Sequence, residues 1–303
     1  MKKKISLILI CIVFLIKPMF AGGGSGSTAF QVLQIPMTAY EASLGNNYIS
    51  DTSSCISNPS MIPFAPRSLI LTHAVYLEDT NYSVAGFNLP LNNKSGLNIS
   101  CVYFDLGSMT RTIDNGAGGY TEQGKFGAND KVFNISYGME ITESFSAGIT
   151  AKYIKQTIDD VSYEGYAGHL SGMFFANECL YFGAGINNFG TQVAGYNLPT
   201  NLYLSCYGNI NENTVLTAQM NEYFNDDIYE LTIASEVNLE NFLFFRIGYT
   251  VPLKKEIEDF TYEFVSNLTA GVGFRFDFLS LDYAWLPEGD LGNTHMFSLL
   301  VKF

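Results

Sequence analysis

The chain has little of what most soluble chemistry requires. Cations are scarce: 16 Lys and Arg stand against 29 Asp and Glu, for a net charge of −13. That excludes a nucleic-acid surface, which needs a basic patch. There are three histidines, His73, His169 and His295, and no spacing singles out a serine to complete a hydrolytic triad with any of them. Besides Cys11, the cysteines are Cys55, Cys101, Cys179 and Cys206, with no CxxC pair and no Cys/His set at metal-ligand spacing. They leave two readings open, paired thiols or small apolar strand residues. A Cys179–Cys206 bridge is disfavoured because alternation points the two to opposite faces. The glycine runs GAG (183–185) and GVG (271–273) precede no helix, so they are not phosphate loops. No catalytic residue, metal site or cofactor is expected.

Long apolar runs are also missing beyond the start of the chain. The opening, MKKKISLILICIVFLIKPMFA, joins three lysines to an apolar stretch and a small residue, Ala21. This is the layout of a secretory signal peptide over residues 1–21, and the apolar stretch is short for a transmembrane helix. Cleavage there leaves 282 of the 303 residues and removes four lysines, taking the net charge from −13 to −17. Acidity of that size does not exclude a membrane, because charges can sit in loops and in a lumen.

What is present is alternation. SFSAGITAKYI places Phe145, Ala147, Ile149, Ala151 and Tyr153 on one face and Ser146, Gly148, Thr150 and Lys152 on the other. NLTAGVGFRF, LSLDYAW, FLFFRIGYTV, KVFNISYGME, IYELTIASE and LYFGAGIN repeat the pattern. A period of two marks strands with unlike faces. Fourteen strands are expected, at 68–77, 81–89, 96–105, 130–140, 144–156, 163–175, 179–188, 200–209, 214–222, 228–237, 242–251, 264–276, 278–286 and 294–303. The first two have no clear phase, and 106–129, with its GAGG, reads as an extended loop.

A sandwich would bury the apolar face against a second sheet. A membrane barrel would turn it to lipid and keep the polar face in the lumen. Aromatics crowd the strand ends, at Tyr153, Tyr249, Tyr283, Trp285 and Phe303, where interfacial girdles belong. Glycines on the polar face suit a curved, closed sheet. The expected class is therefore all-β, a transmembrane antiparallel barrel over 67–303. The chain also ends in mid-strand on Phe303, with Phe297, Leu299, Val301 and Phe303 on one parity. In lipid an unpaired edge is costly, so that last strand must pair with the first. Lys152, Glu230, Glu236, Arg246, Arg275 and Asp282 fall on the lumen parity and make the candidate polar network, with Arg275 and Asp282 placed to pair across a tight turn. Residues 22–66 lack alternation but carry Phe30, Leu33, Ile35, Ile49 and Ile62, apolar groups that need a buried place.

A C-terminal strand ending in Phe resembles the signal read by the barrel-assembly machinery of Gram-negative outer membranes. More specifically, the chain resembles the PorV/PorQ family of FadL-like barrels. The resemblance is carried by GSGSTAFQVLQIPMTAYEASLGNNYISDTSSCISNPS, GITAKYIKQTIDD, YFGAGINNFG, NLPTNLYLS and FLSLDYAWLPEGDLGNTHMFSL. Phe30, Leu33, Gly45, Asp51, Asn58 and Pro59 occupy matching places in the family's opening, whereas Leu44, Ser60 and Tyr40 depart from it. The resemblance implies fourteen strands, an N-terminal hatch at 22–66 lying in the lumen, and an outer-membrane location. It further implies a non-enzymatic partner of a type IX-like secretion machinery, in contact with secretion-system proteins or cargo. The alternative is a FadL-like channel for hydrophobic solutes such as fatty acids and aromatic hydrocarbons.

Overall fold

Alternating side chains do form strands throughout the second part of the chain. In a computed structural model, which describes residues 28–303 apart from 50–51, 77–79, 117, 226–227, 254–264, 266 and 290–291, fourteen antiparallel strands close into a barrel. The expected signal peptide and Asp51 lie outside the described residues. In chain order the strands are β1 (Ser68–Val75), β2 (Asn81–Asn92), β3 (Ser95–Asp114), β4 (Tyr120–Thr142), β5 (Phe145–Ile158), β6 (Val161–Asn177) and β7 (Leu180–Gly190). They continue with β8 (Asn201–Asn211), β9 (Thr214–Tyr223), β10 (Ile228–Leu239), β11 (Leu243–Pro252), β12 (Leu268–Arg275), β13 (Leu279–Pro287) and β14 (Asn293–Lys302). Each strand pairs with its sequence neighbours, and β1 closes the ring on β14 from Ser68↔Lys302 to Val75↔His295. Even the last residue is tied down: the Phe303 amide donates to the Arg67 carbonyl at 3.0 Å.

The apolar parity faces outward. Ile135, Ile247 and Phe297 are 49%, 51% and 57% exposed, and Phe303, at the very end of the chain, is 73% exposed. Leu299 and Val301 share that outer face and are half-buried. A sandwich would have hidden all of these. The two ends of the barrel differ. At one end the turns after β2, β4, β6, β8, β10 and β12 hold two or three residues each; at the other, the connection after β7 has ten. Both the approach to β1 and the end of β14 lie at the short-turn end.

Three expectations change. Residues 106–129 are not a loop: β3 and β4 run on past the rim as a two-stranded ribbon, paired as far as Asp114↔Tyr120. Its sequence hid this because neither face is buried, so no apolar alternation is required of it. The lumen is also less polar than parity suggested. Ile70, Ala74, Val84, Val102, Val132 and Ile154 point inward from β1 to β5 and are buried. This is why β1 reads as apolar on both faces and gave no phase. Finally, Cys55 and Cys179 are not strand residues; Cys55 is buried in the N-terminal segment, and no disulfide joins any of Cys55, Cys101, Cys179 and Cys206.

If the outer face meets hydrocarbon, Ile135→Arg should lower the unfolding free energy in phosphatidylcholine vesicles by about 2–4 kcal/mol. Denaturant titration followed by the fluorescence of Trp285, the sole tryptophan, measures this. A change close to zero would show that this face does not contact lipid.

Candidate functional site: the plug and the lumen

Apolar residues of the N-terminal segment find their buried place inside the barrel. The segment enters near the long-loop end, where the Ala29 amide donates to the Asn197 carbonyl, and descends to the short-turn end before β1. Phe30 is buried against Gly165 of β6 and Val193. A short helix, α1 (Ala39–Ser43), is capped by the Thr38 hydroxyl, which accepts from the Glu41 amide. Further down, Asn58 accepts from the Ser60 amide to start a 3-10 turn over Pro59–Phe64. Asn58 also donates to the Tyr48 carbonyl, tying two levels of the plug together.

The wall is shaped to receive this segment. Pro59 lies against Gly138 of β4 and Gly148 of β5, where a side chain on either glycine would overlap the plug backbone. Gly45, with φ +68°, turns the chain beside Thr232, and the backbone of Leu44 and Gly45 rests on Gly248. Gly183 and Gly271, from the GAG and GVG runs, make room for Ile49 and Ser43. The sequence marked these glycines as devices of curvature. Their further role, as seats for a plug, depends on contacts across long sequence separations that no local pattern shows.

The six lumen-facing charges separate into three places. At the first, Arg246 is fully buried and donates to Glu236 at 2.6 Å and to Asp282 at 2.7 Å. The Tyr40 ring of α1 packs against this guanidinium at 4.1 Å, and Arg275 stacks on the same ring at 5.2 Å and on Phe244 at 4.5 Å. The expected cross-turn pair is thus part of a larger cluster in which Arg246 takes Asp282. β12 pairs Arg275 with Ser280 and sets Gly273 opposite Asp282. Tyr40 is the plug residue that docks on this cluster.

The second place is around Lys152 of β5. Its ammonium donates to the side-chain oxygens of Asn187 and Asn188 at 2.8 Å each. Asn188 sits at a bulge of β7 with φ +56° and also donates to the Leu33 carbonyl of the plug. Nearby, His169 shares a hydrogen bond with Tyr203 at 3.1 Å, and both rings pack on Tyr48. The pocket between these groups and the plug is about 30 Å³, room for about one water molecule.

Glu230 occupies the third place, a cavity of about 620 Å³ at the long-loop end, between the plug and the wall. Its lining mixes Val32, Ile35, Phe104 and Leu286 with amides and with Glu230 and Glu288. Burial holds the Glu288 carboxyl above the usual carboxylate range, so its neutral form persists to higher pH than that of a solvated acid. Ile35, Pro36 and Asn46 line both this cavity and the small pocket below it. The plug segment 33–37 is therefore the partition between them. None of these plug contacts had a signal in the sequence beyond the bare need of apolar residues for burial.

Solved structures share this architecture. The toluene transporter TbuX of Ralstonia pickettii aligns with TM-score 0.62 at 10% identity, over 91% of this chain and 100% of that one. The monoaromatic hydrocarbon channel CymD aligns with TM-score 0.64 at 9% identity, over 91% and 99%. A FadL homologue of Pseudomonas aeruginosa aligns with TM-score 0.56 at 11% identity, over 92% and 99%. The fold is a FadL-like fourteen-stranded barrel with a segment preceding the strands. No protein-family model and no curated protein matches the sequence.

Two substitutions separate docking from wall. Arg246→Ala leaves two buried carboxylates without their cation and should cost about 3–5 kcal/mol in denaturant titration, while Lys94→Ala at an exposed pair should cost less than about 1 kcal/mol. Gly148→Val should displace Pro59 and expose residues 28–66 to protease while the barrel remains resistant. A plug as protected as in the parent protein would contradict the seating described.

Proposed function

We propose that the chain is an outer-membrane channel for small hydrophobic molecules, of the class of aromatic hydrocarbons and fatty acids. The observation that carries this reading is the cavity of about 620 Å³ at the long-loop end, partly apolar and closed below by the plug. A charged solute would prefer water to such a lining, whereas an apolar one gains by entering it. Beyond residues 33–37 lies a separate pocket of about 30 Å³. In this proposal, passage requires the plug partition to shift. Hydrocarbon channels and toluene transporters with the same fold support the reading by analogy, a coarse warrant because one fold serves several functions. In this proposal the exposed apolar belt meets membrane lipid, and the strand ending at Phe303 is the one presented to the assembly machinery.

A second reading remains from the resemblance to PorV/PorQ: a partner in type IX-like secretion. Its structural support is the ribbon of β3 and β4, whose exposed strand edges stand above the rim where a protein could meet them.

One strain decides between them. Expression in an outer membrane devoid of its own hydrophobic channel should raise uptake of labelled toluene or oleate several-fold. Ile35→Trp, which adds bulk at the partition between the cavity and the pocket below it, should cancel most of that gain while leaving the heat-dependent gel mobility of the barrel intact. Uptake no greater than in cells with empty vector would end the channel reading. In the native host, loss of surface-delivered cargo on deletion, with uptake unchanged, would put the secretion reading in its place.

A further inference from the structure

Outside the lumen, the outer wall over β2 to β6 changes character level by level. One row toward the long-loop end holds Asp105, Asn129, Thr157 and Ser162, in register across four strands. The row beneath it runs Ser83, Tyr103, Lys131, Lys155 and Glu164. Beneath that lie Phe133, Tyr153 and Tyr166, and then the aliphatic belt. Polar, then charged, then aromatic, then aliphatic is the sequence of environments met on entering a bilayer.

Within the charged row two lysines face each other directly. Lys131 of β4 is register partner to Lys155 of β5, and like charges opposite one another destabilise a sheet. Compensation from the protein is partial. Lys155 has Glu164 at 3.6 Å, with both side chains well exposed. Lys131 leans on the Tyr103 ring at 5.8 Å and forms no ion pair among the described residues. Asp105, the other acid close by, accepts from the Gly107 amide and lies one row above. Directly below Lys131 is a shallow apolar groove of about 370 Å³, floored by the small residues Ala85 and Cys101 and walled by Tyr103, Phe133 and Tyr153.

We propose that this face is a binding site for a phosphorylated membrane lipid, with the phosphate between Lys131 and Lys155 and an acyl chain in the groove below. An anion placed between the lysines would relieve their repulsion. Only a lipid supplies an anion at that height together with a hydrocarbon chain to fill a groove directly beneath it. A soluble phosphate would leave the groove empty, and a soluble hydrocarbon would leave the lysines facing each other. The inference rests on the membrane reading above, and goes beyond it by naming a ligand that is neither solute nor cargo.

The full-length protein is inserted into phosphatidylcholine vesicles containing a minor fraction of diphosphoryl lipid A, extracted in mild detergent, and weighed by native mass spectrometry. The parent protein and a Lys94→Gln control at the short-turn end should retain the phosphorylated lipid. K131Q/K155Q should retain about tenfold less, as expected for the loss of two interfacial cations. Millimolar inorganic phosphate should not displace the lipid from the parent. Equal retention by the double variant, equal retention of a dephosphorylated lipid A, or displacement by inorganic phosphate alone would overturn the proposal while leaving the barrel in its membrane. Failure to insert, shown by a gel mobility unchanged by heating, would overturn the membrane reading itself and this site with it.

Discussion

Closure of the sheet on itself is the constraint on which the rest of the structure depends, because a backbone amide or carbonyl that water cannot reach must find its partner within the protein. Fourteen strands pair with their neighbours and β1 meets β14, so no edge is left within the ring. Closure creates an interior, and an interior of this width cannot be filled by wall side chains alone. The N-terminal segment fills it. What would be a loose leader in an open sheet becomes the core of a closed one: Phe30, Ile49, Ile56 and Ile62 pack with Ile70, Val84 and Ile154 of the wall in one apolar cluster.

The interior is divided accordingly. Toward β1–β5 the plug is held by apolar packing. Toward β10–β13 it is held by Tyr40 against Arg246, which Glu236 and Asp282 fix in place. An isolated buried cation would be costly, but Glu236 on the adjacent β10 and Asp282 on β13, across β12, supply its partners. Between these regions lie the small pocket at Lys152 and the larger cavity above it, the volumes that the plug leaves unfilled.

Much of this was legible from alternation, and the reason is physical. A strand with an apolar outer face on one side and a lumen on the other must alternate, so stretches such as SFSAGITAKYI could be placed within a residue or two. Where both faces see similar surroundings the signal fails. SLILTHAV has apolar neighbours on both sides, and the ribbon at 106–129 has water on both. Charges on the lumen parity could be picked out, but not their grouping: Arg246 lies ten residues from Glu236 and thirty-six from Asp282, and only the register of four strands, β10 to β13, brings them together. The plug was legible only as a need for burial, because its seats are glycines chosen for what they lack.

β4 runs unbroken from the tip of the ribbon at Tyr120 to Thr142. Gly138, against which Pro59 rests, is on that same strand. At about 3.3 Å per residue, the tip and the seat are separated by roughly 60 Å of continuous backbone with no loop between them. At the rim, Arg111 of β3 is paired with Asp159 in the turn after β5, which braces the ribbon against the strand that carries Gly148. A ribbon of this kind, held along its lower length by the barrel and tied near its upper end through Arg111, acts as a lever. Forces on its outer tip are borne in part by β4, the same strand on which the stopper's Pro59 sits.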